Sequence, residues 1–328
     1  MPVVADKRAR KMPETSPIYY DPAVVPSPFV LDSVAGARDI SVLLQCLCCC
    51  PAFTKQVLRH QEYMKKSRVG KSILNFVTRY INRSLDYPKD IRRFPSIILT
   101  NLMKDARQED PDSDNHTDRS EQPETLADTL LLILSTIALA SHDEATPMAD
   151  VFTHRYNITC ACAKCGGVTS SVGEYAYLIN IDSLEQRPTT VEAFSDTIMH
   201  SVYTVSAADH YCESCKEPCD GIAQSVLTRS PEIIMYTFDI YNTSTPRECK
   251  NYYFPDRIIC SVLDSCTQLE YRIVAQVEHF GADNGGHYIT RTLHDGIVFC
   301  FDGGDSPSCG RFEPTEDTYM VIYHIVQP

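Results

Sequence analysis

Three groups of residues in this sequence have the types and spacings to do chemistry. The first is a pair of Cys-x-x-Cys knuckles, CAKC with Cys162 and Cys165 and CESC with Cys212 and Cys215. Each tight turn presents two thiolates, and tertiary pairing of the knuckles completes a tetrahedral zinc site with bonds of ~2.3 Å. Gly166 after the first pair permits the close turn such a knuckle needs. Four cysteines leave no open coordination position, so this Zn2+ is structural and not catalytic. Cys160 and Cys219 lie beside the knuckles, so the ligand set can slip by one pair. Buried thiols without metal are the competing reading.

The second group lies in HFGADNGGHYITRTLHDGIVFCFDGG, with His287 opening an apparent strand and Asp302 closing the next, fifteen residues on. A hairpin of this size can set carboxylate against imidazole and fix its tautomer, as in a cysteine protease. On pattern alone, such a pair is more often structural. The third group is GARDISVLLQCLCCCP, residues 36–51, which crowds Cys46, Cys48, Cys49 and Cys50 into five positions. Consecutive positions suit neither metal geometry nor a reactive thiol. They suit small apolar fillers on the buried side and end of a helix.

The elements that must position these groups fall in three zones. Residues 28–140 read as helices, in SVLLQCLCC, KQVLRHQEYMKK, SILNFVTRYINRSL, PSIILTNLMKDA and ETLADTLLLILSTIAL, with apolar residues at three- and four-residue intervals. Residues 151–220 carry the paired cysteines around strand-like stretches such as EYAYLINID. Residues 222–328 alternate turns with the strand-like runs IAQSVLTR, EIIMYTFDIY, YRIVAQVEHF, GHYITRTLH, GIVFCFD and TYMVIYHI. Helices first and strands last predict an α+β fold.

Composition narrows the function classes. With 43% hydrophobic and 22% charged residues over 328 positions, the chain can bury a sizeable core. No apolar run reaches the ~18–20 residues of a membrane span. The most apolar window, TLLLILSTIALA at 129–140, reads as a buried helix. The N-terminal MPVVADKRARKMPETSP has no apolar stretch behind its basic cluster, so the expectation is no secretory signal. Fifteen cysteines then point to the reducing cytoplasm or nucleus, where thiols are free, metal-bound or catalytic. A net charge of −13 argues against nonspecific nucleic-acid binding and favours a basic protein partner. Part of that acidity sits in RQEDPDSDNHTDRSEQPE at 107–124, which reads as a solvated loop. KRARK at 7–11 reads as a nuclear import signal or a solvated basic tail.

GGHYITR, followed by FCFD and TYMVIYHI, resembles the His box of the ubiquitin-specific proteases. PMADVFTHRYNITCACAKCGGVTSS resembles that family's entry into the fingers, and HYCESCKEPCDGIAQSVLTRSPEIIMYTFDIY resembles its second knuckle and the strand after it. In the latter, Asp239 and Ile240 stand where the family usually has Lys-Arg. KNYYFPDRI and YRIVAQVEHFG, with His279 at the family's histidine, complete a series of boxes in the family's order. The resemblance implies a papain-like fold of the ubiquitin-specific protease type over one domain, residues 28–328, after a flexible basic tail at 1–27. Within it the helical thumb covers 28–150, the zinc-tipped fingers 151–225 and the β palm 226–328. It also implies that His287 and Asp302 are the family's catalytic His and Asp.

One box departs from the family. Aligning LLQCL on the family's glutamine, the nucleophilic cysteine falls on Arg38, the oxyanion asparagine on Ser33 and the following tyrosine on Asp39. Arginine stays protonated and only donates hydrogen bonds, so it cannot attack a carbonyl. Cys46 lies eight residues on, ~12 Å along a helix from Arg38, and Cys48, Cys49 and Cys50 lie farther. The family's QQDAHEFL helix is replaced by EQPETLADTLLLIL, which keeps the apolar face and loses the signature. The leading expectation is therefore a pseudoprotease that binds ubiquitin, a ubiquitin-like protein or a protein complex. The alternative is an active isopeptidase that uses a displaced cysteine with His287 and Asp302. A zinc-ribbon nucleic-acid binder fits least, because the chain is acidic.

Overall fold

The apolar residues of the N-terminal zone recur at helical spacing, and in a computed structural model of the chain they form helices at the expected places. The structure describes residues 30–31, 37–82, 92–106, 125–140, 148–176, 178–181, 190, 192, 194–195, 198, 203–241, 253–262, 267–282, 285–303 and 306–326. The basic tail at 1–27, Ser33 and the acidic stretch 107–124 lie outside them. The helices are α1 (Arg38–Cys48), α2 (Pro51–Arg59), α3 (Gln61–Met64), α4 (Arg68–Asn82), α5 (Phe94–Ala106) and α6 (Leu126–Ala140).

Local chemistry explains where they start. Pro51 opens α2 at a position whose backbone N–H would be orphaned in any case. Thr125 and Asp128 form a reciprocal box ahead of α6: the Asp128 N–H donates to the Thr125 hydroxyl (3.1 Å), and the Thr125 N–H donates to Asp128 (3.2 Å). The start of α4 is capped through tertiary structure, with the N–H groups of Arg68 and Val69 each donating to Asp105 of α5 at 3.0 Å. From Ile40 to Cys48 every residue of α1 is buried, the polar Ser41 and Gln45 included, so the helix lies inside the core.

The strands build two sheets. The smaller has the order β2 (Val168–Ala176), β1 (His154–Cys162), β5 (Glu217–Arg229), β4 (Tyr203–Cys212), all antiparallel. The larger runs β11 (Ser308–Gly310), β10 (Ile297–Asp302), β9 (Gly285–His294), β8 (Thr267–Ala282), β12 (Thr318–Ile325), β6 (Ile233–Thr237), β3 (Ile179–Asn180), with β7 (Arg257–Val262) paired to β8. Its centre is buried on both faces: Thr318–Tyr323 and Ile233–Thr237 have no exposed position, so these strands read as unbroken apolar runs. The stretch expected as one strand, EYAYLINID, is split between the end of β2 and β3. IAQSVLTR belongs to a longer strand, because β5 pairs with both β1 and β4, and the expected zone boundary at 225 falls inside it.

The helical layer packs on the large sheet along a seam between α1 and strands β8 and β9. No single described helix is long and apolar enough to cross a membrane. The cysteines of the opening run are core: Cys46 and Cys50 are 0% exposed, Cys49 1% and Cys48 2%.

Candidate functional site

At the tip of the small sheet, β1 and β4 each end in a cysteine of a knuckle. Cys162 and Cys212 are buried, Cys165 is exposed and Cys215 is half-buried. The four sulfurs lie within 4.8 Å of one another, and Cys165 Sγ is 3.5 Å from Cys212 Sγ. A tetrahedron of Zn–S bonds requires sulfurs ~3.8 Å apart, so the group is compact enough to hold the ion. Both turns are built alike. The Gly166 N–H donates to the Cys162 carbonyl (2.9 Å) and the Lys216 N–H to the Cys212 carbonyl (2.7 Å), with φ of 68° at Gly166 and 58° at Lys216. Glycine adopts that left-handed angle freely, whereas Lys216 is held in it by the knuckle.

The Cys165 backbone N–H, facing Cys162, pushes that thiol down to about 6, while hydrogen bonding with Cys165 pushes Cys215 up. A divalent cation replaces the thiol protons of such a cluster with one uniform partner. Cys162, Cys165, Cys212 and Cys215 can hold a structural zinc ion. Cys160, the neighbour that left the ligand set open, is not part of this group.

The second assembly lies where α1 meets β9. Its elements follow from the ladder: Asp302 of β10 pairs with Ile289 of β9, which leaves His287 diagonal to it on the same face. The side chains meet, His287 Nε2 against Asp302 Oδ1, and both are open to solvent at 44% and 63% exposure. Arg38 is the first residue of α1, the end of a helix that favours negative charge. Its Nη1 donates to the carbonyl of Gly286, the residue before His287. Its Nε is buried without a partner. The structure therefore brings Arg38, His287 and Asp302 to one place, with a guanidinium bridging helix and sheet.

Behind them sits a network that sequence reasoning had not resolved. His279 is 2% exposed, its Nδ1 hydrogen-bonds with Tyr241 Oη, and its ring centroid lies 4.4 Å from that of Tyr288. A Cβ on Gly286 would collide with the His279 ring, so only glycine lets the two strands approach this closely. Burial raises the Asp39 carboxyl, a shift partly offset by the Thr129 hydroxyl (3.4 Å) and by Arg38. Burial, together with the Asp39 charge, also raises the Tyr288 hydroxyl, which stays protonated and cannot act as a base. Glu278 is anchored by Arg291 and by the Thr315 hydroxyl (2.6 Å), tying β8, β9 and the loop before β12 together. The signal for this network was present as tyrosines in GHYITR and EIIMYTFDIY, but strand patterning gives no partner for a phenol.

The cysteines at 46–50 do not enter the cleft. Cys49 Sγ donates to the carbonyls of Cys46 (2.8 Å) and Val274 (3.3 Å), and Cys50 Sγ to that of Cys46 (3.5 Å). Burial holds the thiols of Cys46, Cys48 and Cys50 well above their ordinary range.

A helical layer against an antiparallel sheet, a His–Asp pair at their seam and a thiol-tipped ribbon define the ubiquitin-specific protease fold. The sequence matches the ubiquitin carboxyl-terminal hydrolase family over residues 40–323, and the chain belongs to that family. No curated protein matches it. Among solved structures, it is similar to a SAGA DUB module of Ubp8, Sgf11, Sus1 and Sgf73 bound to monoubiquitin. The TM-score is 0.65 at 15% identity, covering 93% of this chain and 72% of that one. The same module bound to ubiquitin aldehyde gives 0.63 at 15%, over 93% and 72%. A yeast SAGA module carrying an Sgf73 mutant gives 0.59 at 16%, over 93% and 71%.

Proposed function

We propose that this chain is a silent member of its family, a binding or scaffold protein for ubiquitin, a ubiquitin-like protein or a protein complex. The observation that carries the reading is Arg38: a guanidinium, bonded to the Gly286 carbonyl, occupies the helix end beside His287 and Asp302. Thiol hydrolysis needs a thiolate there, with the helix dipole to lower its pKa and the imidazole to take its proton. His287 and Asp302 then form a vestigial dyad, and Ser33 stands for the lost oxyanion asparagine. The division into thumb at 28–150, fingers at 151–225 and palm at 226–328 belongs to the same reading. Ubiquitin and complex partners are supported by the similar modules, in which Ubp8 is bound to monoubiquitin and assembled with three further proteins. The cytoplasm or nucleus is the compartment that reduced, metal-binding cysteines suit.

The test is a ubiquitin or ubiquitin-like tail carrying a C-terminal electrophile. The expected outcome is no covalent adduct with the wild-type chain and an adduct with Arg38→Cys, whose new thiol stands beside His287. Turnover by that variant is expected to stay at least ~100-fold below an intact site, the usual cost of one missing oxyanion donor. Labelling of the wild type would instead support the active isopeptidase with a displaced cysteine. The 0–2% exposure of Cys46, Cys48, Cys49 and Cys50 speaks against it.

A further inference from the structure

The finger tip holds one thiol more than a four-cysteine zinc site can use. Cys219 lies on β5, and its sulfur falls within 4.8 Å of Cys215 Sγ and of a Glu217 carboxylate oxygen, which are equally close to each other. This second group of potential ligands shares only Cys215 with the first. All three members are half-buried, so an ion can reach them from solvent. Glu217 and Cys219 also border an open cavity of about 630 Å³, lined with them by Lys164, Asp209 and Asp220 among others.

We propose that the finger tip binds a second zinc-like divalent ion, with Cys215 as a bridging thiolate, Cys219 and Glu217 as its own ligands, and the fourth position left to water. Two sulfurs and a carboxylate form a donor set that zinc accepts. Binding releases the Cys219 proton to solvent as the S–H bond gives way to a metal–sulfur bond, with no change of oxidation state.

Further features of the tip bear on a cation here. In the β4–β5 ladder Asp209 stands directly opposite Asp220, both exposed, an arrangement of like charges that destabilises a hairpin unless something neutralises it. A first zinc bound by four thiolates carries a net negative charge, which adds to that field. Lys164 answers it at present, paired with Glu217, but both side chains are substantially exposed (66% and 46%) and such a pair yields readily to a divalent ion. Finally, His210 faces Cys219 across the ladder with its ring against Gly221, and both ring nitrogens are buried without a partner. Water held on an ion beside Cys219 is the kind of donor that this imidazole lacks.

The inference is independent of whether the cleft is silent, and metal stoichiometry tests it without any activity. The full chain, free of affinity tags, is saturated with zinc, desalted and analysed for zinc per chain by mass spectrometry of the elements. Two ions are expected in the wild type and one in Cys219→Ser, which retains the four knuckle cysteines. On titration with a chelator, the wild type is expected to lose its zinc in two steps and Cys219→Ser in one. One ion in the wild type overturns the second site, as does an unchanged two in Cys219→Ser. Should that variant fail to fold, Glu217→Gln, with the same readouts, is expected to lose the more easily removed ion. If the wild type binds none, both metal sites fall, while the reading of the cleft stands.

Discussion

The finger tip and the cleft are both built from residues far apart in the chain, yet they have fared differently. At the tip every ligand that zinc requires is present, and two backbone turns of the same design aim the thiols at one point. At the seam His287 and Asp302 meet, and Arg38 reaches across from α1 to the carbonyl of Gly286. A metal site fails as a unit, because losing one thiolate from four exposes the rest of the tip to collapse. On the function proposed above, a catalytic site that loses its nucleophile keeps its fold, since the remaining side chains have packing roles of their own. The difference shows that His287, Asp302 and the His279 network are supported by the architecture of the seam, whether or not chemistry happens there.

The largest effect that would test this contrast is removal of the metal. Structural zinc contributes on the order of 10 kcal/mol in small zinc domains. Chelation is therefore expected to raise amide exchange sharply in β1, β4 and β5 while β8, β9 and β12 keep their protection, as read by exchange mass spectrometry. Equal loss in both sheets would break the separation between the two regions.

Next comes Gly286→Ala, whose methyl group would drive into His279 and shift the carbonyl that Arg38 grips. A cost of ~1–3 kcal/mol in a denaturant titration is expected for such overpacking, with zinc content unchanged. Arg38→Ala removes one charge-assisted hydrogen bond but also relieves a cation at a helix N-terminus and a buried Nε without a partner. The opposing terms leave a net loss of ~1 kcal/mol, measurable by the same titration. A stabilised Arg38→Ala protein would mean that the bridge is not a fastening of the seam.

The smallest effect concerns the other end of that seam, where the Ala52 N–H at the start of α2 donates to His324 Nε2 (3.3 Å) on β12. Burial lowers the pKa of His324, so the folded protein holds the ring neutral. Its contribution to stability is complete above the unfolded value of ~6.5 and is lost as pH falls from there towards the lower folded value. The denaturation midpoint of the wild type should drop between pH 7.5 and 5.5, and His324→Gln should drop less. The finger tip should not respond to this substitution.

Legibility followed the range of the interactions. The knuckles could be read because a Cys-x-x-Cys turn is local, and its only long-range requirement is a second copy. The helices could be read from period, and the start of α6 from Thr125 and Asp128, three residues apart. The cap on α4 could not, because its carboxylate comes from Asp105, 37 residues after Arg68. Nor could the partners of Cys49, one of which is the carbonyl of Val274, 225 residues away. Strand patterning likewise placed Tyr241 and Tyr288 on elements without showing that they enclose His279.

By itself the sequence determined the α+β order, the two Cys-x-x-Cys knuckles, the two strands that carry His287 and Asp302, and an arginine at position 38. These follow from residue chemistry and short-range periodicity. Only the tertiary structure decided what Arg38 does: it reaches the carbonyl of Gly286, 248 residues away, and joins helix to sheet. It also decided which carbonyls the buried cysteines meet and that Cys219 closes on Cys215 and Glu217. Those outcomes depend on which surfaces fold against one another, and a linear pattern does not carry that distance.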